Sequence, residues 1–356
     1  MKRIGIDKQT MAGQKTGFGF YLENLLSALD GLNKNYEFLF IDEVRDNLNT
    51  PRRMLWDQVW LPRRARKLGL DLLFVPAFSV PIFYKGKTVV TAHDLIGYLF
   101  SNNFSWSAKM YWKRLLPASF RKADHIITIS VQSRNDLHEH LGIPLEKITV
   151  IPLAARSVFH PLKDETLIEP VLKSYGLRRD KFVLTVGTIE PRKNIPALIE
   201  AWSKLKRDPR MKLVIVGKKS WGYLDVKRIV ETLELEKEVM ILDYISDNEL
   251  VVLYNTCHFF VLPSLYEGFG LPALEALSCG AAVTMANNSS LPEAGGDAAS
   301  YFDPRQPEEM RAKMQEMLDN EKARAFFREK GLAQAAKFSW DITARHTLAV
   351  FDHLLK

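Results

Sequence analysis

Two glutamates lie close together in a segment that combines an apolar run, a loop rich in glycine and a helical pattern. Residues 259–280 read Phe-Phe-Val-Leu-Pro-Ser-Leu-Tyr-Glu-Gly-Phe-Gly-Leu-Pro-Ala-Leu-Glu-Ala-Leu-Ser-Cys-Gly. The apolar run predicts a strand, Pro272 is typical of a first helical turn, and Gly280 is typical of a helix end. Glu267 in the loop and Glu275 in the first turns of the helix can therefore face one cleft. A carboxylate accepts two hydrogen bonds, which suits a pair of sugar or ribose hydroxyls.

The loop between the two glutamates has the composition of a ligand-binding turn. Glycines let the backbone approach a ligand closely, and the amides at a helix N-terminus attract phosphate. A helix-capping loop with surface glutamates is the alternative. We prefer a binding site because strand, loop and helix fit that interpretation together.

Two cations come just before another helix. The segment 186–196 reads Val-Gly-Thr-Ile-Glu-Pro-Arg-Lys-Asn-Ile-Pro. In it, Asn194 is a good N-cap residue and Pro196 suits the first helical turn. Arg192 and Lys193, next to the positive end of a helix, form a site for a diphosphate leaving group. An ordinary basic turn is the alternative.

Two further segments are weaker candidates. Gly17 and Gly19 lie between the first strand and the first helix, where a doubly wound fold places a ligand loop. The full Gly-x-Gly-x-x-Gly fingerprint is missing, and a plain flexible loop explains the glycines equally well. His93 follows a strand at the edge of the sheet where ligands bind, although a single histidine is often structural.

The sequence predicts neither a bound metal nor a cofactor. His138 and His140 point to different sides of a helix and cannot share one ion. The chain has no Asp-x-Asp pair to hold a metal against a diphosphate, no Walker loop and no Gly-x-Ser-x-Gly elbow.

Strands and helices alternate along the whole chain of 356 residues. Strands are predicted at 3–6, 37–41, 72–75, 88–92, 125–129 and 148–151, and then at 182–186, 212–216, 239–242, 259–262, 282–284 and 299–302. Two successive blocks of this alternation predict two doubly wound α/β domains. We place the first over 1–170 and the second over 171–338, with a final helix over 339–356.

The net charge of +7 is concentrated in the first half. Residues 1–170 contain 23 Lys and Arg against 17 Asp and Glu, and the remainder contains 26 against 25. These cations fit solvated helix faces or, equally well, attraction to anionic lipid or a phosphorylated acceptor. We expect no nucleic-acid partner, because no motif of a nucleic-acid module accompanies the charge.

The composition predicts a cytoplasmic protein. No apolar run approaches the ~18–20 residues that span a bilayer, and the first residues are typical of a strand rather than a signal peptide. The two cysteines, Cys257 and Cys279, lack metal-ligand spacing and indicate a reducing compartment. The basic, aromatic stretch 106–122 suggests peripheral contact with the inner face of the cell membrane.

Taken together, the motifs resemble family 4 (group 1) glycosyltransferases. Glu267 and Glu275 look like the Glu-x7-Glu motif of that family, and the resemblance covers nearly the whole chain. Around that motif, the chain contains Ala-His-Asp, Gly-Thr-Ile-Glu-Pro-Arg-Lys-Asn, Ser-Ser-Leu-Pro-Glu and Phe-Ser-Trp in the order expected for the family. Within the family, the sequence looks most like bacterial O-antigen and exopolysaccharide mannosyltransferases.

The resemblance implies a GT-B fold, with two Rossmann-like domains facing across a cleft and the C-terminal helix crossing back to the first domain. The first domain would bind the acceptor and the second the nucleotide sugar. Catalytic roles would fall to Glu267, His93, Arg192 and Lys193. The donor would contact Glu275, Gly268, Phe269, Gly270, Leu271, Gly187, Thr188, the Ile245 backbone, Gly17 and Gly19.

The same resemblance implies a retaining, metal-independent transfer of a hexose, with mannose from GDP-mannose as the preferred donor, to a glycan or lipid-linked glycan. A UDP-sugar-dependent transferase, a non-transferring nucleotide-sugar epimerase and a binding protein with the same fold remain alternatives.

Overall fold

The chain forms two compact units. The computed structural model describes residues 1–13, 17–32, 35–42, 48–101, 105–220 and 222–356. One unit comprises Met1–Leu153 with Ser339–Lys356, and the other comprises Ala154–Phe338. The sequence placed the division later, after residue 170. The structure places it earlier because Phe159 and Ile168 are buried in the hydrophobic core of the second unit.

The first unit is built on a sheet of six parallel strands in the order β2-β1-β3-β4-β5-β6. The strands are β1 (Lys2–Asp7), β2 (Tyr36–Ile41), β3 (Leu72–Val75), β4 (Lys87–Ala92), β5 (His125–Thr128) and β6 (Ile148–Val150). All six were predicted from the sequence, with ends within two residues.

Helices cover this sheet. They are α1 (Gly17–Leu32), α2 (Thr50–Leu55), α3 (Leu61–Leu68), α4 (Ile96–Leu99), α5 (Trp106–Met110), α6 (Leu116–Lys122) and α7 (Val131–Leu141), together with the last helix of the chain, α16 (Trp340–Leu355). The side chain of Ser339 caps α16 by accepting a hydrogen bond from the Ile342 amide. Phe351 of α16 packs edge-on against Phe74, which attaches the C-terminal segment to the first sheet.

Two helical stretches of the first unit each contain a π-helical turn. Trp56–Trp60 joins α2 to α3, and Tyr111–Leu115 joins α5 to α6. Pro62 and Pro117 follow these turns as the second residue of the next helix. Proline lacks an amide hydrogen and its ring clashes with the carbonyl four residues earlier. The wider turn accommodates that carbonyl, so the helix continues through the proline.

The second unit repeats the architecture with six parallel strands in the order β12-β11-β10-β7-β8-β9. Its strands are β7 (Phe182–Val186), β8 (Lys212–Val216), β9 (Val239–Leu242), β10 (Phe259–Leu262), β11 (Val283–Ala286) and β12 (Ala299–Phe302). Its helices are α8 (Glu165–Ser174), α9 (Ile195–Ser203), α10 (Tyr223–Thr232), α11 (Asp247–Thr256), α12 (Leu271–Ser278), α13 (Leu291–Gly295), α14 (Pro307–Asp319) and α15 (Glu321–Ala335).

The strand order of each sheet indicates where a ligand can bind. In the first sheet the chain leaves β1 toward β2 and returns on the other side as β3. In the second sheet it leaves β7 toward β8 and returns on the other side as β10. Loops after such neighbouring strands diverge to opposite faces and open a crevice at the carboxyl edge of the sheet. The segments after β1 and β3, and those after β7 and β10, are therefore the expected binding positions.

None of the helices in the described ranges is both long and apolar enough to cross a membrane.

Candidate active site

The loops that follow β7 and β10 meet at the carboxyl edge of the second sheet. The amide of Leu265, in the loop after β10, donates a hydrogen bond of 2.7 Å to the carbonyl of Arg192, in the loop after β7. The side chains of Glu267 and Lys193 are buried beside this contact. The structure thus joins the two segments that the sequence analysis had treated separately.

The Glu267 carboxylate is surrounded by donors. Its Oε1 accepts hydrogen bonds from the Lys193 ammonium and from the Ser264 hydroxyl, the latter at 2.6 Å. Its Oε2 lies 3.0 Å from Nη1 of Arg192. Two cations and a hydroxyl therefore hold one carboxylate in a single orientation.

These contacts set the charge of Glu267. Burial by itself would raise its pKa, but the charges of Lys193 and Arg192 outweigh burial, so the pKa is lowered and the carboxylate stays ionised. Glu190 lies 2.7 Å from Nη2 of Arg192. Two carboxylates and two cations thus balance, which reduces the cost of holding charge in a poorly solvated place.

The backbone of Glu267 is held by a third loop, the one after β11. The Glu267 amide donates to the Ser289 hydroxyl at 3.0 Å, and the Ser290 hydroxyl donates to the Glu267 carbonyl at 2.8 Å. Ser264 had not been given a role from the sequence, and Ser290 appeared only as part of the Ser-Ser-Leu-Pro-Glu motif. Short hydroxyl side chains have no distinctive spacing. Ser264 lies three residues before the glutamate in the same loop, whereas Ser290 reaches it only because β11 is next to β10.

Two glycines have steric reasons for their positions. Gly270, at the start of α12, has φ of +98°, and a Cβ there would lie 2.7 Å from Cδ2 of Leu291. At Gly187, a Cβ would lie 3.1 Å from Cε of Lys193. Gly187 therefore makes room for the lysine side chain, and Gly270 lets the loop turn into the helix beside α13.

Glu275 belongs to a neighbouring polar cluster. Its Oε2 accepts a hydrogen bond of 3.2 Å from the hydroxyl of Tyr254 on α11. Burial raises its pKa to about 7, while the charge of Arg156 and the Tyr254 hydrogen bond act in the opposite direction. Arg156 is itself bound by both oxygens of Asp247, at 2.5 and 2.8 Å.

The structure therefore brings three of the four principal predicted residues into contact, namely Glu267, Arg192 and Lys193. Within the described ranges, Glu275 makes none of the contacts that join those three. Arg156 and Tyr254 were missed in the sequence. Arg156 lies more than a hundred residues before Glu275, so no local pattern could have indicated the association.

The other predicted donor residues take several positions. Thr188 is exposed, Gly268 is buried, and Leu271 and Ile245 are partly buried. Phe269 was also predicted to contact the donor. Its ring is buried and packs edge-on against Phe338 at 5.7 Å, so its side chain has a packing role.

Asn194 also differs from expectation. It precedes α9, as predicted, but it has φ of +56° and its side chain makes no capping hydrogen bond. Instead its amide nitrogen donates to the carbonyl of Pro304 at 3.1 Å. In this left-handed conformation, which Asn tolerates, the side chain connects the loop after β7 to the segment after β12.

The remaining predicted residues lie in the first unit. His93 follows β4 as expected and is buried, with Nε2 2.9 Å from the Pro76 carbonyl and its ring against Tyr21 and Phe18. Burial lowers its pKa to about 4, so its imidazole is neutral near pH 7. Gly17 and Gly19 are not in a loop, as had been expected, but in the first turn of α1. Residues 14–16 lie outside the described residues.

No group of three or more His, Cys, Asp or Glu side chains in the described ranges is arranged to hold a metal ion. His138 and His140 both lie on α7, and the His138 ring is instead 2.9 Å from the Ile143 carbonyl.

Comparison with known protein families identifies the class to which this fold and site belong. Residues 171–334 match the family described as Glycosyl transferases group 1, and residues 33–155 match Glycosyltransferase Family 4. The chain belongs to this family and is a glycosyltransferase with the GT-B fold.

Individual relatives of known activity are similar to most of the chain. The chain is 34% identical over 307 residues to O-antigen chain mannosyltransferase B of Escherichia coli, an alignment that covers 85% of this chain and 78% of that protein. It is 37% identical over 296 residues to the serotype-specific mannosyltransferase WbdA of Escherichia coli, covering 79% of this chain but 35% of WbdA. The chain thus spans about a third of the length of that second relative.

Solved structures share the fold at lower identity. Sucrose-phosphate synthase from Thermosynechococcus elongatus superposes with a TM-score of 0.78 at 19% identity, covering 99% of both chains. WaaG, a glycosyltransferase involved in lipopolysaccharide biosynthesis, superposes with a TM-score of 0.77 at 14% identity, covering 98% of this chain and 99% of that one.

Proposed function

We propose that this glycosyltransferase moves a mannosyl residue from GDP-mannose to a hydroxyl of a glycan or lipid-linked glycan, in the synthesis of a cell-surface polysaccharide. In this proposal the transfer retains the anomeric configuration and needs no metal. The supporting observation is that Lys193 and Arg192 hold the Glu267 carboxylate at the carboxyl edge of the second sheet, between the loops that follow β7 and β10. The names of the two relatives in Escherichia coli support mannose as the sugar.

The two cations provide the chemistry that a metal would otherwise supply. As the bond between the sugar carbon and the phosphate oxygen breaks, negative charge builds on the leaving diphosphate. The Lys193 ammonium carries three N–H donors, and Glu267 accepts a hydrogen bond from one of them. The others can bind the diphosphate. Because Glu267 already holds the ammonium in place, little reorganisation is needed when that charge develops.

The acceptor completes the reaction from the same side. Its hydroxyl oxygen forms the new bond to the sugar carbon on the face that the phosphate leaves, and its proton passes to an oxygen of the departing phosphate. Glu267 contacts the hydroxyls of the transferred sugar in this scheme. Neutral His93 donates its Nε2–H to the Pro76 carbonyl, so its Nδ1 accepts a hydrogen bond beside that sugar.

The nucleoside part of the donor is assigned to the second unit. The partly buried Glu275 carboxylate accepts hydrogen bonds from the ribose hydroxyls, and the backbone at Ile245 contacts the base. At the start of α12 the Leu271 amide is assigned to the phosphates. The N-cap residue Gly270 has no side chain that could cap it, Pro272 has no amide hydrogen, and the Ala273 amide donates to the Gly270 carbonyl. The acceptor is assigned to the first unit.

The proposal is tested by incubating the purified protein with an α-mannoside acceptor and one donor at a time: GDP-mannose, UDP-glucose, UDP-galactose or UDP-GlcNAc. We expect transfer from GDP-mannose and an α-linked product by NMR. The rate should be unchanged in EDTA. Transfer only from a UDP sugar would replace the donor, an inverted product would overturn retention, and loss of activity in EDTA that added metal restores would overturn metal independence.

Two other functions are outcomes of the same assay. Conversion of the donor sugar without an acceptor would identify an epimerase. Donor binding without hydrolysis or transfer would identify a binding protein.

We also propose that the first unit contacts the cytoplasmic face of an anionic membrane. Trp106 is 77% exposed at the start of α5. Lys109, Lys113 and Arg114 are exposed along the same helical stretch, while Tyr111 between them is buried. Exposed lysine and arginine are attracted to anionic headgroups, at about 1 kcal/mol per cation close to the surface. An exposed indole suits the membrane interface.

Vesicle sedimentation tests this second proposal. The protein should bind vesicles containing phosphatidylglycerol more tightly than vesicles of phosphatidylcholine alone, and charge reversal at Lys109, Lys113 and Arg114 should remove the difference. Charge reversal at Lys237, Lys322 and Lys330, three exposed lysines of the second unit, is the matched control. Binding that does not respond to anionic lipid would exclude the proposal.

A further inference from the structure

The first unit contains a cavity of about 380 Å³, which lies between the segments that follow β1 and β3. Its volume lies within the usual range for small-molecule sites, roughly 300–1,000 Å³. Four of the nine residues that line it are aromatic, namely Phe18, Phe78, Tyr111 and Trp112, and the polar lining includes Arg53 and Thr10. The residues of the second unit that are assigned to the donor do not line this cavity.

The floor of the cavity is held by a buried ion cluster. Nη2 of Arg53 lies 2.5 Å from Asp7, and Nε lies 2.7 Å from Asp57. Tyr111 and Ser79 donate to the same Asp57 carboxylate, at 3.3 and 2.5 Å. Burial raises the pKa of Asp57 to about 7, against the opposing charge of Arg53. Such a cluster fixes the guanidinium in one orientation at the cavity wall.

The charge of this cluster indicates which ligands the cavity can accept. One guanidinium faces two carboxylates, so the cluster is neutral or negative whichever way Asp57 is protonated. A phosphate or diphosphate would meet no uncompensated cation among these three residues. A neutral ligand with hydroxyl groups avoids that repulsion and can still accept a hydrogen bond from Arg53.

Thr10 provides a second polar group. Its side chain is 93% buried, and its Oγ1 has no hydrogen-bond partner within the described ranges. A buried hydroxyl without a partner is costly, and this one is among the residues that line the cavity. A ligand hydroxyl in the cavity would satisfy it.

Phe78 is held in an unusual conformation at the same place. Its φ of +68° is in the left-handed region, which a bulky residue seldom adopts. Its ring lies 4.5 Å from the Arg53 guanidinium carbon and 5.1 Å from the Phe18 ring. The backbone strain is therefore accompanied by a fixed aromatic face beside the polar groups.

We propose that this cavity binds the terminal, uncharged pyranose of the acceptor glycan. One face of the sugar ring packs against the aromatic wall, and its hydroxyls bond to Thr10 and Arg53. The proposal rests on the proposed function in so far as it calls this sugar the acceptor. The fit of a neutral pyranose to the cavity stands independently.

The test combines two measurements on the full-length protein. Binding of methyl α-mannopyranoside is measured without donor by saturation-transfer NMR, and KM for an α-mannoside acceptor is measured in the transfer assay. Thr10→Val replaces the unpartnered hydroxyl with a methyl group of the same shape. We expect it to weaken glycoside binding and to raise the acceptor KM roughly 3- to 10-fold, the effect of losing one net hydrogen bond. Phe18→Leu should also raise the acceptor KM.

The control is Phe83→Leu, which makes the same substitution at a ring of the first unit that is 86% exposed and does not line the cavity. It should leave both measurements unchanged. A purely structural role for Thr10 predicts an unchanged or higher melting temperature for Thr10→Val, with an unchanged acceptor KM, and that result would overturn the proposal.

Other outcomes separate the inference from the proposed function. Transfer with an acceptor KM that Thr10→Val and Phe18→Leu leave unchanged would refute the cavity assignment while the transferase function stands. Glycoside binding that both variants weaken, in a protein that transfers no mannose, would refute the proposed function while the cavity assignment stands. Failure of the glycoside to bind, or its displacement by inorganic pyrophosphate, would also overturn the inference.

Discussion

The Lys193 ammonium is bonded to the Glu267 carboxylate, although 74 residues separate the two in sequence. Both side chains are buried, and Arg192 supports the same carboxylate from the other oxygen. A donor that reaches this edge of the sheet meets a cation whose position is already set. The contact between Lys193 and Glu267 therefore stabilises the loops after β7 and β10 and also positions the cation proposed to bind the leaving diphosphate.

Replacing Lys193 should affect rate and stability differently. Lys193→Met should lower kcat by roughly 10²–10³-fold, as removal of one prearranged donor typically does. It should also destabilise the protein by up to about 3–5 kcal/mol, because Glu267 loses a partner while buried. Steady-state kinetics and urea unfolding measure the two effects.

The double variant Lys193→Met with Glu267→Gln separates these effects. Removing both charges should recover part of the free energy of unfolding without recovering kcat. Near-normal turnover of Lys193→Met would contradict the assignment to the leaving group.

Donor affinity should depend on pH through Glu275. Its pKa of about 7 means that the carboxylate is mostly protonated at pH 6 and mostly ionised at pH 8. If the ionised form binds the ribose, the donor KM should fall about tenfold across that interval. Glu275→Gln should remove the dependence. An equally steep profile in the variant would assign the titration to another group.

The ionisation of Glu275 should also affect folding stability, which should fall as the pH rises while donor affinity increases. The folded protein holds the Glu275 proton more tightly than the unfolded chain does, so this residue lowers stability as the pH rises from about 4.5 to 7. Thermal unfolding of Glu275→Gln across that range should lack this contribution.

Gly270 should tolerate a side chain poorly. Its φ of +98° and the short distance to Leu291 predict that Gly270→Ala costs about 1–3 kcal/mol. The matched control is Gly17→Ala, because a Cβ at Gly17 would meet no atom within 4 Å. In the first turn of α1 that change should be neutral or stabilising by up to about 1 kcal/mol. Equal melting temperatures for the two variants would refute the steric argument.

His93 should act as a neutral group. Burial lowers its pKa to about 4, so protonation of His93 should not shape the rate profile between pH 5 and 8. His93→Gln should lower kcat while leaving the acid limb of the profile where it is. Movement of that limb in the variant would show that His93 titrates during turnover. Stability should be lost as the pH falls from about 6.5 to 4, since the unfolded chain takes up this proton more readily.

The strands and helix ends could be predicted from the sequence because the residue patterns that mark them are local. All six strands of each sheet were predicted, since short apolar runs bounded by turn residues are typical of parallel strands. The capping box formed by Ser246 and Glu249 at the start of α11 is a local signal of the same kind. The π-helical turns were not predicted, because their cause, a proline tolerated inside a longer helix, looks the same in sequence as a proline that begins one.

The amino-acid sequence alone determined which chemistry is available: a pair of glutamates around one helix start, a pair of cations before another, and a histidine at the end of a strand. Tertiary structure decided which of these groups meet. The order of strands in the second sheet places β10 beside β7, and this brings Glu267 to Lys193 and Arg192 while Glu275 lies with Tyr254 and Arg156. In the first unit, the order of β1 and β3 brings Asp7, Arg53 and Phe78 together around a cavity. Spacing along a chain records local geometry, whereas contacts between distant loops depend on how the strands are ordered in the sheet.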